Sequence, residues 1–444
     1  NGNIYARGRI ENIVDFDPSS SINLIETNNS PNKETFVVKY DSLSNYQWGF
    51  TIDSLFDIGS ISVDDVGNCY VAATNLGITD LDPSAGTALF TSQGYYSGLI
   101  AKYDTNGDLV WANQLEHLTT LTFSKCLEVQ VDKSGNVLVI GYYLGDVDFD
   151  PSAAQYILSN PYVTWSTPFK TFIAKYNSNG DLIWAVDLEG LLPDHIDLAV
   201  NDNNDIFLSG AFQSDIDIDP TSGTYLLNAQ ASENILLAKY DSTATLQWGF
   251  ALGDINTNWA SAVAVGTNHV YLTGIFSNTC DLDPGSGVTN VIGQNNGYNT
   301  FVARYSALNG EFEWGFNLDN AYSYPHGMDI DDDENIVLHG LFKDFWADHS
   351  EFPDAMDVDP SPDTVGLVSS TSSDNNVTSG MYTVVYDSAG NHIWSMDVPQ
   401  CADYNKQLKS LGLAHFDQSG NILIAGGLLY DGDFAPREAE YVQT

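Results

Sequence analysis

The amino-acid sequence predicts an all-β chain folded as a β-propeller of four-stranded antiparallel blades, seven by preference and six as the alternative. Three observations predict it. An Asp-x-Asp-Pro step begins at Asp15, Asp80, Asp148, Asp217, Asp281 and Asp357, with an altered copy at Asp433 where Ala435 replaces the second acid. The opening segment GNIYARG returns as GNCYVAA, GNVLVIG, NDIFLSG, NHVYLTG, ENIVLHG and GNILIAG. A tyrosine closing a short apolar run precedes a tryptophan by eight residues at Tyr40, Tyr103, Tyr176, Tyr240 and Tyr386, and by nine at Tyr305. Because the steps recur at intervals of 64 to 76 residues in fixed order with the other two landmarks, residues 1–444 read as one repeat domain with units of about 70 residues.

Within a complete unit the elements follow in order. Leu127 to Val131 and Val137 to Tyr142 are apolar, β-branched runs separated by Asp-Lys-Ser-Gly-Asn, and Phe172 to Tyr176 and Leu182 to Val186 are separated by Asn-Ser-Asn-Gly-Asp. The glycine of each link supplies the positive φ that a tight hairpin needs, so consecutive strands are expected to be antiparallel neighbours. Four-stranded meanders repeated along a chain pack most simply as radial blades, which leave only short edges. Seven copies of the GN-type strand against six Tyr-Trp pairs leave the blade number open between seven and six.

Composition agrees and sets limits on partners. The chain is 43% hydrophobic, enough to build a large core, and carries 46 Asp against 13 Glu, a bias toward turns over helices. With 59 acids, 15 basic residues and a net charge of -44, phosphate backbones and anionic membranes start from strong repulsion, so neither nucleic acid nor membrane insertion is expected. Cys69, Cys126, Cys280 and Cys401 show no metal-ligand spacing and are expected to be isolated thiols, with one or two bridges left open. Asn1 already lies inside a repeat, which predicts a piece of a longer chain.

The segments VQVDKSGNVLVIGYYLGDVDFDP, from Val129, and FIAKYNSNGDLIWAVDL, from Phe172, resemble the SBBP-type β-propeller repeats of secreted bacterial surface proteins, many of them exported by type IX secretion. The resemblance spans essentially the whole chain and implies an extracellular, cell-surface location. Ala73 in place of the usual glycine, Gly266 in place of the first-hairpin Asp, and the absence of a C-terminal sorting domain depart from the pattern.

The acidic steps are the sharpest chemical signal. In an extended segment Asp146, Asp148 and Asp150 would face one way while Val147 and Phe149 face the core, and the same holds for Asp215, Asp217 and Asp219. Three carboxylates together suit calcium, which takes oxygen ligands, and calcium is the cofactor these steps would hold. The competing reading makes the last Asp the start of an Asp-Pro turn. The repeated Tyr and Trp read as interblade packing. Aromatics in segments that break the repeat, Tyr162 and Trp165, Tyr322 and Tyr324, and Phe345 and Trp346, are the candidates for ligand contact. No HExxH, nucleophile elbow or phosphate-binding loop occurs. The expectation is a non-enzymatic adhesion or scaffold module whose partners are other domains or copies of a surface protein, or a cell-surface glycan or protein; a glycan-active hydrolase or lyase is the alternative.

Overall fold

The computed structural model describes residues 2–10, 13–26, 34–53, 55–118, 122–161, 168–230, 232–253, 257–293, 297–318, 323–342, 355–368, 380–399, 410–417, 420–427, 437–438 and 440–441. Every regular element among them is a β-strand, and the strands form six antiparallel blades of a β-propeller. Blade 1 has three strands, Ile4–Ile10, Glu34–Tyr40 and Tyr46–Ile52. Blades 2 to 6 have four core strands each, with innermost strands Leu55–Val63, Phe123–Val131, Asp197–Val200, Asn258–Val265 and Ser323–Ile330, and the short strand Arg437–Glu438 adds a fifth at the outer edge of blade 6. The architecture is therefore the six-blade form. The seventh unit supplies the hairpin Ser410–Phe416 and Ile422–Gly427 among the described residues, which packs beside blade 6.

Blade 3 shows how sequence becomes blade. Phe123–Val131, Val137–Asp148, Lys170–Tyr176 and Leu182–Glu189 pair in chain order from the axis outward, with hairpins at Asp132 and Asn177. Asp132 Oδ1 accepts the amides of Ser134 at 2.9 Å and Asn136 at 2.8 Å, while Gly135 takes φ +77°, so the acid and the glycine close the turn together. Blade 5 lacks that acid, and Gly266 stands in its place. Glu334 of blade 6 reaches back instead: its carboxylate accepts the Thr267 amide at 3.2 Å, the Tyr271 hydroxyl at 2.9 Å and a contact from His269 Nδ1 at 2.5 Å. A Cβ at Gly266 would overlap that carboxylate, which explains why the acid is missing there.

Between the second and third strands each blade sends out a ribbon that carries the acidic step, two-stranded as in Ile78–Asp80 with Leu89–Thr91 and joined by Glu116–His117 in blade 3 and Glu440–Tyr441 in blade 6. The residue between the two acids points inward: Leu81, Phe149, Ile218, Leu282 and Val358 are buried. Its carbonyl receives the hydroxyl of the same unit's tyrosine, from Tyr103 to Leu81 at 3.0 Å, Tyr240 to Ile218 at 2.9 Å and Tyr386 to Val358 at 2.8 Å, with equivalents at Tyr40, Tyr176 and Tyr305. Two landmarks of the sequence are thus one joint, and burial pushes the tyrosine hydroxyls to higher pKa. Tyr103→Phe removes the donor and leaves a buried carbonyl unpaired, so a loss of about 1 to 2 kcal/mol is expected in urea unfolding.

The tryptophans lock neighbouring blades. Trp48 Nε1 and Lys39 Nζ both donate to the Thr105 carbonyl, at 3.0 and 2.8 Å, in the outer turn of the next blade. Trp111 and Lys102 do the same to Ser178, and Trp184 and Lys175 to Ser242. Lys239 reaches Ala307 at 3.0 Å and Arg304 reaches Ser388. The turn glycine must present a bare Cα to the preceding tryptophan: Gly107, at φ +88°, lies on Trp48 and Gly180, at φ +87°, on Trp111. In blade 6 the cation is replaced by Val385, which packs with Ala414 of the terminal hairpin.

Candidate functional site on the axial face

In the acidic steps one oxygen of each carboxylate, Oδ1, caps backbone amides. Asp148 Oδ1 accepts the amides of Asp150 at 3.1 Å and Tyr156 at 2.8 Å, and Asp150 Oδ1 accepts that of Ser152 at 2.8 Å. Asp217 and Asp219 repeat this with Tyr225 and Thr221, and Asp281 and Asp357 follow the same plan. Asp146 accepts a bond from the Ser159 hydroxyl, and Asp215 from the Ala229 amide at 2.8 Å. Val147 and Phe149 are buried as expected, but Asp148 is buried with them, at 5% exposure. Among the described residues no three His, Cys, Asp or Glu side chains gather as a metal-ligand group. Tyr162, Trp165, Phe345 and Trp346 lie outside the described residues, as do Tyr322, Cys401 and Asp433; Cys69 and Cys126 are buried free thiols, and Cys280 is buried.

Two features that the motifs did not reveal lie at the axis. The innermost strands are chained by side chains: Ser60 Oγ accepts the Val129 amide at 2.7 Å, Glu128 Oε2 the Leu198 amide at 3.1 Å, Asp197 Oδ2 the Val263 amide at 2.7 Å, and Asp329 Oδ2 the Phe416 amide at 3.0 Å. Glu128 and Asp197 also hydrogen-bond each other. Burial, reinforced by the neighbouring Asp197, pushes the Glu128 carboxyl well above its usual range, and burial raises Asp197 too. Arg7 of blade 1 lies within electrostatic reach of Asp57 and Glu128, and His415 of the terminal hairpin within reach of Asp197. First and last units thus meet the same pair, which places the blades around one axis. The sequence signal was an acid four residues before the hairpin position, Glu128 before Asp132 and Asp197 before Asn201, inside an otherwise apolar strand.

A raised carboxyl fixes a sign. Between the unfolded value near 4.3 and its higher folded value, Glu128 keeps a proton that the unfolded chain releases, so its contribution is complete at low pH and lost as pH rises. Glu128→Gln keeps an acceptor for Leu198 and a donor for Asp197. Relative to wild type it is expected to be near neutral at pH 4 and stabilising by about 1 to 3 kcal/mol at pH 8, read by urea unfolding at both pH values.

The second feature is an arc of aromatic rings on the face where the first and third strands begin. His195 stacks on Trp259 with centroids 4.6 Å apart at 21°, Trp259 meets Tyr298 at 5.3 Å, and Tyr298 meets Tyr324 at 5.6 Å. A second group, Phe123, Tyr142 and Phe169, has centroid spacings from 4.9 to 5.9 Å. Tyr142 feels Asp194 and Asp57, which joins the groups electrostatically. The ladder rings and this trio are half-buried, with Phe169 exposed at 38%. The opposite face carries the tight hairpins that begin at Asp64, Asp132, Asn201, Gly266 and Asp331. Away from the axis, an open cleft of about 470 Å³ lies where blades 4 and 5 meet, between Trp248, Phe250 and Phe312 and the loop Gly285–Gly287. It sits beside the hairpin at Asn309 and Gly310, the one whose tyrosine and tryptophan are nine apart.

No family model matches the chain. It is 25% identical over 286 residues to an uncharacterized WD repeat-containing protein of Acanthamoeba polyphaga mimivirus, a match covering 55% of this chain and 20% of that protein. The matched region is thus about a fifth of that relative's length. A crystal structure of a protein of unknown function from Bacteroides caccae matches 49% of this chain and 89% of its own at 10% identity, with a TM-score of 0.19.

Proposed function

We propose that this propeller is a secreted, cell-surface binding module that acts without catalysis, as an adhesin or scaffold, through its axial aromatic face. The observation that carries the reading is the contiguous arc of half-buried rings on one face, set against closed, self-satisfied hairpins on the other. Trp259, Tyr298 and Tyr324 are held by strands and so are pre-organised, which lowers the ordering cost of binding. The glycan-active alternative has one observation in its favour, the raised acid pair. Glu128 and Asp197 hydrogen-bond each other, however, whereas glycosidase carboxyls stand about 5 to 9.5 Å apart to admit the sugar.

The test presents immobilised full chain to a panel of polysaccharides and extracellular polypeptides. At least one member is expected to bind and to lose tenfold or more with Trp259→Ala, while Asp332→Asn on the hairpin face leaves binding intact. Turnover of a panel member that Glu128→Gln abolishes would replace the reading by the enzymatic one. Immunolabelling of intact source cells tests the surface location.

At the acidic steps Oδ1 of the carboxylates caps backbone amides in the described copies, which supports the turn reading over a calcium site. We infer that the steps serve as turn cores. Melting curves in millimolar calcium and in chelator, at matched ionic strength, are expected to coincide. A calcium-dependent rise abolished by Asp148→Asn would restore the metal reading.

A further inference from the structure

The distribution of charge adds a partner class to the aromatic face. Each lysine and arginine whose side chain is described is already engaged inside the chain. Five of them serve the interblade joints, and Arg7 donates to the Ile58 carbonyl at 2.9 Å. Arg9 and Lys125 hold Asp57 at 3.5 and 3.3 Å, Lys133 holds Asp202 at 3.5 Å, and Lys170 holds Asp187 at 3.4 Å. The cations thus serve the fold, and the surface presented to a partner carries the excess of a chain with net charge -44. At the arc that excess is local: Asp194 is exposed, and both Asp194 and Glu233 lie within electrostatic reach of His195.

Resting on the binding reading above, we propose that the His195–Trp259–Tyr298–Tyr324 ladder docks a basic polypeptide segment of a partner protein, with Asp194 as its charged guide. Ammonium and guanidinium groups are attracted to aromatic faces by the ring quadrupole. A field of one sign also steers a partner of the opposite sign and disfavours phosphate- or sulfate-bearing ligands. A neutral glycan could stack on the rings but would gain nothing from the acids.

The probe is a twelve-residue peptide rich in lysine and arginine, beside the same peptide with glutamine at every basic position, titrated calorimetrically into the full chain. The basic peptide is expected to bind with an affinity that falls as salt rises, and the glutamine peptide at least tenfold more weakly. Trp259→Ala and Asp194→Asn should each reduce affinity tenfold or more, and Asp332→Asn less than twofold. Asp194 is exposed, so its variant tests the site even if Trp259→Ala disturbs the fold. Equal losses with Asp194→Asn and Asp332→Asn would show diffuse attraction and overturn the proposal. Binding of a neutral oligosaccharide that Trp259→Ala removes, with no basic-peptide binding, would overturn the partner class and leave the binding face standing. Failure of both peptides together with silence of Trp259→Ala across the panel would sink both.

Discussion

Lys175→Met is expected to destabilise the chain by about 3 to 5 kcal/mol, the largest loss of any single side chain considered, measured as the shift in guanidinium unfolding. Its ammonium sits 2.8 Å from Asp132 with side chains 4% and 0% exposed. Burial by itself would raise the Asp132 carboxyl, but hydrogen bonds from Lys175 and Asn136 outweigh it and hold the acid below its usual range. Removing the lysine strands a buried carboxylate that also closes the first hairpin of blade 3, and it cuts a bond to the Ser242 carbonyl of blade 4. The double variant Lys175→Met/Asp132→Asn should recover part of the loss, because the penalty belongs to the unpaired charge. Lys102 makes the matching interblade bond at 3.3 Å in an exposed setting, and Lys102→Met should cost less than about 1 kcal/mol.

Gly141→Ala is expected to cost about 3 kcal/mol or more, and Gly210→Ala no more than about 0.5 kcal/mol in either direction, although both glycines close the same landmark. A Cβ on Gly141 would overlap the Lys125 carbonyl oxygen, because the inner strand of blade 3 bulges between Cys126 and Glu128 and pushes its backbone toward the second strand. Gly274 and Gly340 face the same obstruction at bulges in blades 5 and 6. In blade 4 the inner strand is only Asp197–Val200, and the nearest atoms to a Cβ on Gly210 are Leu191 Cδ2 at 3.4 Å and the His195 carbonyl at 3.6 Å. Unfolding midpoints of the two variants measure the contrast. A heavy cost at Gly210 would show that the glycine serves something other than the bulge.

Blade type was legible because it rests on local chemistry: alternating apolar runs, and, in many hairpins, an Asp or Asn and a positive-φ residue that close the turn within five residues. The link from Tyr103 to Leu81 was not, since no pattern in a single unit says that one landmark donates to another 22 residues away. The same holds for the acid pair. Glu128 looks like an ordinary strand acid until Asp197, 69 residues on, is placed against it, and raised pKa values arise from such tertiary encounters. At the acidic steps the amide caps accord with the turn reading, and only the facing of Asp148 departs from the alternation. Alternation predicted that Asp148 faces out with Asp146 and Asp150, but backbone amides left unpaired in a turn compete for carboxylates, and here they captured them. Blade number depended on whether a terminal unit completes its sheet, which local pattern does not reveal.

The joint between blades has a direction. Each unit extends a cation and an indole forward onto the next unit's turn, and offers its own turn backward to the unit before, as Lys39, Trp48 and Thr105 show for the first pair. A unit is therefore complete as both plug and socket. Tandem duplication of the encoding segment would yield a new copy whose joints fit its neighbours on both sides, while the closed axis would have to widen to admit it. Val385, where the plug is blunted at the sixth blade, meets the terminal hairpin through Ala414 by apolar contact instead of through a cation.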